Sequence, residues 1–282
     1  MLGVIGGTGL YKMDGMVNTE VKKINTPFGE PSATILIGEI NSKKITFLPR
    51  HGSDHQLLPS EINYRANIWA LKSVGVRRIV SVSAVGSLRE EIHPGDLAVP
   101  TQYFDWTRGK RSGSFFGDGM VAHISTAEPS CPVLTNAIKD SSLVTGTKLH
   151  FSKTYACVEG PRLGTKAESL FLRQIGCDLV GMTNVPEVFL AREAQLCYCT
   201  VAVATDYDCW LDDPNMHASV DKVIELYHKN ISRVQSLLKN LVSSNFDLHK
   251  CNCRNSLDFA VMTRESHLTT EKMRVLAFLK EK

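Results

Sequence analysis

Short apolar, β-branched runs alternate along this chain with longer stretches whose apolar residues recur at helical spacing. This alternation favours one α/β domain whose central sheet is covered on both faces. The sequence thus predicts a three-layer α/β/α domain with a mixed sheet over residues 1–244. An extension over 245–282 could end in a helix at 268–280. A short strand that runs into a glycine turn is expected over 2–10, and further strands around 44–48, 78–84, 96–99, 153–158, 178–183 and 200–205. Helices are expected around 59–74, 132–141, 166–176, 186–195 and 219–242.

Charge balance and segment length argue against two classes of protein. Lys and Arg total 32 against 29 Asp and Glu, and the basic residues form only small clusters such as 108–111. A nucleic-acid-binding protein usually has a broader basic face. No apolar segment reaches the roughly 18 residues of a membrane span, and no signal-peptide pattern precedes the first strand. We expect a cytoplasmic protein that binds neither nucleic acid nor membrane.

The eight cysteines are more than usual for a chain of this length, 282 residues. No two of them have the C-x2-C spacing of zinc ribbons or thioredoxin-like proteins. Cys197 and Cys199 alternate on a predicted strand and are expected to be small core residues. Cys251 and Cys253 lie in a polar tail, where they could form or accept a disulfide.

Two carboxylates follow the buried run 197–204, in the segment Thr205-Asp206-Tyr207-Asp208. Ligands of α/β sheets bind at the carboxyl ends of strands. If the chain stays extended, Asp206 and Asp208 point the same way, because side chains alternate along a strand. Two such acids could address one edge of a ligand, one of them sharing a proton with a ring nitrogen. A solvated turn is the alternative interpretation of these two residues.

Three other strand ends carry groups that bind anions. Gly6-Gly7-Thr8-Gly9 offers backbone N–H groups and a hydroxyl, although it lacks the lysine of a P-loop and the last glycine of a dinucleotide fingerprint. Arg50 and His51 offer a guanidinium fork and an imidazole donor, which suit phosphate oxygens. Residues 83–87 add hydroxyl and backbone donors. Together they predict a phosphate site. A metal bound by His51 and His55 is disfavoured because no carboxylate occupies the position of an HExxH site.

Several motifs together resemble the 5′-methylthioadenosine phosphorylases, which belong to the trimer-forming branch of the purine nucleoside phosphorylases. The resemblance extends over roughly residues 2–242, and the tail with Cys251 and Cys253 resembles that of archaeal members. The motifs are Gly6-Gly-Thr-Gly9, Arg50-His-Gly52, Asn63-Tyr-Arg-Ala-Asn-Ile-Trp-Ala-Leu-Lys72, Gly86-Ser-Leu-Arg-Glu-Glu91, Glu159-Gly-Pro-Arg162, Gly181-Met-Thr183, Pro186-Glu187 and Thr205-Asp-Tyr-Asp208.

The resemblance implies a purine nucleoside phosphorylase-like fold and a phosphorolysis. Inorganic phosphate would attack C1′ of methylthioadenosine and release adenine and 5-methylthioribose 1-phosphate, with no metal or organic cofactor. It also implies a homo-oligomer, a trimer or a dimer of trimers. The implied roles are phosphate binding by Thr8, Arg50, His51, Ser83, Ala84 and Thr183; ribose packing by Met182; contact with purine N7 by Asp206 and with the 6-amino group by Asp208; a methylthio pocket of Val220 and Val223; and reach into a neighbouring subunit by His123.

Two positions depart from the pattern of the family. Leu163 stands where most relatives have a phenylalanine against the base, and Gly164 stands where a serine, or the glutamate of inosine-specific enzymes, is common. Adenine preference then depends mainly on Asp206 and Asp208. A phosphorylase of methylthioinosine or of ordinary purine nucleosides therefore remains an alternative. From other classes, the alternatives are a noncatalytic nucleoside-binding protein and an oxidoreductase, the latter disfavoured by the incomplete glycine fingerprint.

Overall fold

A single mixed sheet organises the protein. The computed structural model describes residues 1–7, 9–10, 13–213, 218–244 and 251–282. Within these ranges the sheet has nine strands in the order β2-β3-β4-β1-β5-β8-β7-β6-β9. The strands are β1 Leu2–Gly6, β2 Val17–Lys22, β3 Ile35–Ile40, β4 Lys43–Pro49, β5 Arg78–Ser87, β6 Leu97–Trp106, β7 Leu149–Val158, β8 Leu179–Gly181 and β9 Cys197–Asp206.

One end of the sheet closes on itself, so the sheet is not an open one. β9 runs parallel to β5 and antiparallel to a short part of β6, so β5, β8, β7, β6 and β9 form a ring. β5 runs parallel to β1 near its start and pairs with β8 near its end. The carboxyl ends of β5 and β9 are therefore held side by side, with Gly86 opposite Asp206.

Helices cover both faces of the sheet, which confirms the three-layer α/β/α prediction. Apolar residues of α1, α4 and α6 share one core cluster, and those of α2 and α5 share a second. A smaller cluster includes Leu172 of α3. The helices of the described ranges are α1 Tyr64–Ser73, α2 Pro132–Thr145, α3 Lys166–Gln174, α4 Asn184–Glu193, α5 Val220–Ser243 and α6 Thr270–Lys280. None of them is both long and apolar enough to span a bilayer.

Several elements differ from the sequence prediction. α1 begins at Tyr64 and not near Pro59, because the Asn63 side chain caps it by accepting the Ala66 N–H at 3.1 Å. The edge strand β2, Val17–Lys22, was not predicted, since its mostly exposed, polar residues give no buried alternation. The partner strand β3, Ile35–Ile40, was also missed.

Residues 251–282 pack into the same core as the rest of the chain. Cys251 and Cys253 belong to the α2–α5 cluster, whereas Leu276 and Leu279 belong to the α1–α4 cluster. Nζ of the buried Lys72 donates to the carbonyls of Leu279 and, near the chain end, of Glu281 at 2.9 and 2.8 Å. The helix expected over 268–280 is α6, and the division into a domain and an extension at residue 244 stays a prediction.

Candidate functional site

Asp206 ends the fully buried strand β9, and its side chain is 8% exposed. Its two carboxylate oxygens each accept a hydrogen bond at 2.7 Å, one from the Thr205 hydroxyl and one from the backbone N–H of Asp208. Burial nevertheless raises the pKa of Asp206 above the ordinary value of an aspartate, against the lowering effect of those two bonds. A carboxyl in this state can share a proton with a base.

Asp208 is not part of the extended strand. Its φ of 52° places it in the left-handed region, so the alternation argument for this pair was wrong. The two acids still meet, because both border Gly86: a Cβ added there would lie 3.0 Å from Asp206 Oδ1 and 3.1 Å from Asp208 Cβ. Burial also raises the pKa of Asp208. A side chain at position 86 would press on both acids, so the glycine lets them stand this close to β5 without adjustment.

The loop that contains Leu163 and Gly164 borders the acid pair. A Cβ added at Gly164 would lie 3.8 Å from both carboxylate oxygens of Asp208, and Cys209 Sγ donates to the Gly164 carbonyl at 3.4 Å. Leu163 is 41% exposed. The structure therefore places Gly164, one of the two positions that depart from the family pattern, next to Asp208, with the exposed Leu163 preceding it in the same loop.

Arg50 is buried at the end of β4, with 2% exposure, and links this strand to β1 and β5. Its backbone N–H donates to the Gly6 carbonyl at 3.0 Å, and Nη1 donates to the Val82 carbonyl at 3.0 Å. Nε and Nη2 donate to the two oxygens of Glu187, at 2.8 and 3.0 Å. The Nε and Nη2 side of the Arg50 guanidinium is thus taken by Glu187 and not left for phosphate. Among the contacts of the described residues, Nη1 has the Val82 acceptor alone, so its second hydrogen remains for an anion.

His51 follows Arg50 and is held as a neutral imidazole. Burial lowers its pKa to about 4. Nδ1 lies 2.9 Å from the Leu57 carbonyl, which fixes the N–H on that nitrogen, and the ring stacks on His55 with the centroids 4.4 Å apart. Nε2 is therefore a hydrogen-bond acceptor and not the donor that the sequence suggested. It suits the hydroxyl of a protonated phosphate.

Thr183 and Ser83 lie beside the start of α4. Thr183 precedes the helix, and its buried Oγ1 has no hydrogen-bond partner within the described ranges. Ser83 Oγ donates to the Asn184 side chain at 3.2 Å, and Ala84 is half-buried next to it. A buried hydroxyl without a partner favours a bound group that can accept its hydrogen bond, such as an anion. Thr8, the remaining predicted phosphate ligand, lies outside the described residues.

The other predicted substrate contacts are Met182, Val220, Val223 and His123. Met182 is half-buried and close to Gly160, where an added Cβ would lie 2.6 Å from its sulfur. Val220 and Val223 begin α5, and Val220 is 66% exposed. This helix start is joined to the acid pair because the Ala218 N–H donates to the Asp208 carbonyl at 2.8 Å. His123 is exposed on a different loop.

Comparison with known proteins settles the family. The model of the phosphorylase superfamily matches residues 1–243. The chain belongs to the phosphorylase superfamily. It is 44% identical over 271 residues to the S-methyl-5′-thioadenosine phosphorylase of Geobacter sulfurreducens, an alignment that covers 96% of this chain and 94% of that protein.

Two solved structures are also similar to this member of the phosphorylase superfamily. One is a methylthioadenosine phosphorylase sourced from an Antarctic soil metagenomic library, with 43% identity, a TM-score of 0.92 and coverage of 99% of this chain and 98% of that chain. The other is a mutant of the adenosine/methylthioadenosine phosphorylase from Schistosoma mansoni, in complex with methylthioadenosine. It has 36% identity, a TM-score of 0.79 and coverage of 86% of this chain and 90% of that chain. The purine nucleoside phosphorylase-like fold is thereby confirmed.

Arg111 is the main residue of this phosphorylase-superfamily site that sequence reasoning missed. Its Nη1 donates to the carbonyls of Met182 and Val185, at 2.7 and 2.6 Å, and its Nε donates to Glu159 at 3.1 Å. It therefore fixes the segment around Met182 and Thr183 against the Glu159 loop. Its only sequence signal was membership of a small basic cluster, which does not distinguish a buried arginine from a surface one.

Proposed function

We propose that this chain catalyses the phosphorolysis of 5′-methylthioadenosine to adenine and 5-methylthioribose 1-phosphate. The observation that carries the proposal is the buried Asp206 carboxyl, whose raised pKa suits proton sharing, at a strand end that also borders Asp208. The named activities of the relatives support the same reaction. On this proposal the enzyme is a pentosyltransferase of purine and methionine salvage.

The acid pair would act on the leaving purine. Cleavage of the glycosidic bond passes through an oxocarbenium-like state, and the purine leaves more readily with a proton on N7. Asp206 would supply or share that proton, while the Asp208 carboxylate would accept a hydrogen bond from the 6-amino group of adenine. The base preference rests on this pair because Gly164 presents no side chain to the purine.

Phosphate would bind between the ends of β1, β4 and β5 and the start of α4. The spare Nη1 hydrogen of Arg50 and the unsatisfied hydroxyl of Thr183 would donate to its oxygens, and neutral His51 would accept from its hydroxyl. Ser83, Ala84 and Thr8 would complete the site. The bound anion would stabilise the cationic sugar and then attack C1′, so the reaction needs no metal or organic cofactor.

The sugar end of the substrate would extend from Met182, beneath the ribose, toward the start of α5. Val220 and Val223 suit a methylthio group better than a hydroxyl because both are apolar. On this proposal the exposed His123 serves the site of a neighbouring subunit in a homo-oligomer. A trimer or a dimer of trimers, and a cytoplasmic location, stay predictions.

The test is to incubate the purified protein with methylthioadenosine, with and without phosphate, and to follow the free base by chromatography. Methylthioinosine, adenosine and inosine are the parallel substrates; adenosine is included because the Schistosoma mansoni relative is named for both nucleosides. We expect phosphate-dependent release of adenine, fastest from methylthioadenosine. A faster reaction of methylthioinosine would overturn the base assignment, and no release from any substrate would leave a noncatalytic binding protein.

A further inference from the structure

Four cysteines from three distant parts of the sequence meet in one buried cluster. Cys131 precedes α2, Cys197 begins β9, and Cys251 and Cys253 lie in the C-terminal segment. Their sulfur atoms all lie within 4.8 Å of one another. We call these four residues the tetracysteine cluster. No other group of three or more potential metal ligands comes as close together in the described part of the chain.

The spacing of the sulfurs fits four ligands of one ion. The Sγ atoms of Cys197 and Cys251 are 3.4 Å apart, far longer than the roughly 2.05 Å of a disulfide bond. Four thiolates at about 2.3 Å from a tetrahedral zinc ion stand about 3.8 Å from one another. The cluster therefore needs only small side-chain adjustments to close around a metal.

The surroundings of the cluster stabilise negative sulfur. Cys131 Sγ accepts the N–H of Leu134 at 3.4 Å, in the first turn of α2, where the helix dipole also favours an anion. Arg192 Nη1 lies 3.2 Å from Cys253 Sγ and donates to it. Hydrogen bonds of this kind to ligand atoms orient metal ligands and offset the charge of a thiolate site.

We propose that Cys131, Cys197, Cys251 and Cys253 bind one structural Zn²⁺ ion as a tetrahedral tetrathiolate site. Binding releases the four thiol protons to solvent and leaves a site of net charge −2, which Arg192 and the N-terminus of α2 partly offset. Four protein ligands fill the coordination sphere, so the ion has a structural role and no position for substrate. A tetrahedral set of four thiolates selects zinc or iron over harder ions.

The ion would anchor the chain that follows the cluster. Ser256 Oγ donates to the Arg192 carbonyl at 2.6 Å, at the end of α4. Further along, the His123 N–H donates to the Ala260 carbonyl at 2.9 Å and the Met262 N–H donates to the Val121 carbonyl at 2.8 Å. The zinc site thus fixes the segment on which the His123 loop rests.

The experiment measures metal content and spectroscopy in three proteins purified in reducing buffer without chelator. These are the wild type, the double variant Cys251→Ser/Cys253→Ser, and the control Cys199→Ala. Cys199 is as buried as Cys197 and lies two residues away on β9, but its sulfur contacts Thr135. We expect about one zinc per chain in the wild type and the control, and at least about tenfold less in the double variant.

Cobalt replacement gives a readout that does not depend on the double variant folding. The metal-free wild type and control should each take up about one equivalent of Co²⁺ and show the thiolate-to-cobalt charge-transfer bands and strong visible bands of a tetrahedral tetrathiolate. Substoichiometric, octahedral-type spectra would overturn the proposal. So would iron in place of zinc, or a native protein isolated without metal, whether its four cysteines are reduced or paired in disulfides.

Discussion

The guanidinium of Arg50 and the carboxylate of Glu187 form a two-point ion pair in the core, with Nε and Nη2 at 2.8 and 3.0 Å from the two oxygens. The side chains are 2% and 0% exposed. Tyr198 Oη donates a further hydrogen bond to Glu187 at 2.8 Å. Although burial alone would lower the pKa of Arg50, the carboxylate raises it above its ordinary value. The pair joins the end of β4 to α4, the two elements that border the proposed phosphate site.

Removal of the charge on Glu187 should therefore affect both stability and phosphate binding. Glu187→Gln leaves Arg50 as an incompletely paired buried charge, which typically costs about 3–5 kcal/mol. We expect a loss of that size in urea unfolding and a higher KM for phosphate in the folded fraction. Glu225→Gln is the control, because the Glu225–Lys229 pair is exposed and its loss should cost below about 1 kcal/mol. Equal stability of the two variants would contradict the interpretation of the buried pair.

Asp206→Asn keeps the size of the side chain but removes the proton that the purine is proposed to share. We expect kcat to fall by about 10²- to 10⁴-fold. Burial raises the pKa of Asp206, so the wild-type acid stays protonated to higher pH than a free aspartate, and kcat/KM should decline once the pH exceeds that pKa. The Asn variant should lack this decline. An unchanged pH profile in the variant would exclude Asp206 as the titrating acid. The measurement is a kcat/KM–pH series with methylthioadenosine.

Helices and strands whose apolar residues recur at a regular period were predicted correctly from the sequence. The long amphipathic helix α5, Val220–Ser243, and the buried strand β9 each have a clear apolar period, and the structure contains both. The edge strand β2 was missed because no face of it is buried. The fold class followed from the order of the elements, but ring closure depends on β9 pairing with both β5 and β6, which no local signal encodes.

The sequence predicted several residues of the candidate site, but it did not predict their partners or their backbone conformations. Asp206 and Arg50 were identified from strand ends, but the partner of Arg50 lies 137 residues away, at Glu187. The left-handed conformation of Asp208 could not be seen in the sequence, because aspartate adopts that region only when its surroundings favour it. The tetracysteine cluster was not predicted for the same reason: Cys131 and Cys197 meet the Cys251–Cys253 pair only in the folded chain.

Gly164→Ser should sharpen the choice of base. A Cβ at this position meets Asp208 at an ordinary contact distance of 3.8 Å, so a side chain fits, and the serine hydroxyl would lie where the purine edge is expected. One added hydrogen bond corresponds to about tenfold in the ratio of kcat/KM for methylthioadenosine to that for methylthioinosine. Gly164→Ala is the matched control, since it adds the Cβ without the hydroxyl. The same ratio in both variants would mean that residue 164 does not face the base.

Val223→Thr tests the proposed methylthio pocket with a side chain of nearly the same shape. A hydroxyl beside a thioether loses its water without gaining a good partner, whereas it can bond the 5′-hydroxyl of adenosine. We expect the kcat/KM ratio of methylthioadenosine to adenosine to fall by about tenfold. Ile224→Thr is the control on the next residue of α5, where the side chain is 52% exposed and has no assigned role. A comparable fall in the control would place the pocket elsewhere.

His51 should make stability fall in mildly acidic solution. Its pKa is about 4 in the folded protein because the ring is buried, against about 6.5 in an unfolded chain. Between these values the unfolded state binds more protons, so the free energy of unfolding decreases as the pH falls from about 6.5 to 4, by up to about 3 kcal/mol. His51→Gln removes the titrating group and should lose less stability across this window. The exposed His267→Gln serves as control and should follow the wild type. Urea unfolding at successive pH values measures the slopes, and parallel slopes for wild type and His51→Gln would show that His51 is not buried as a neutral imidazole.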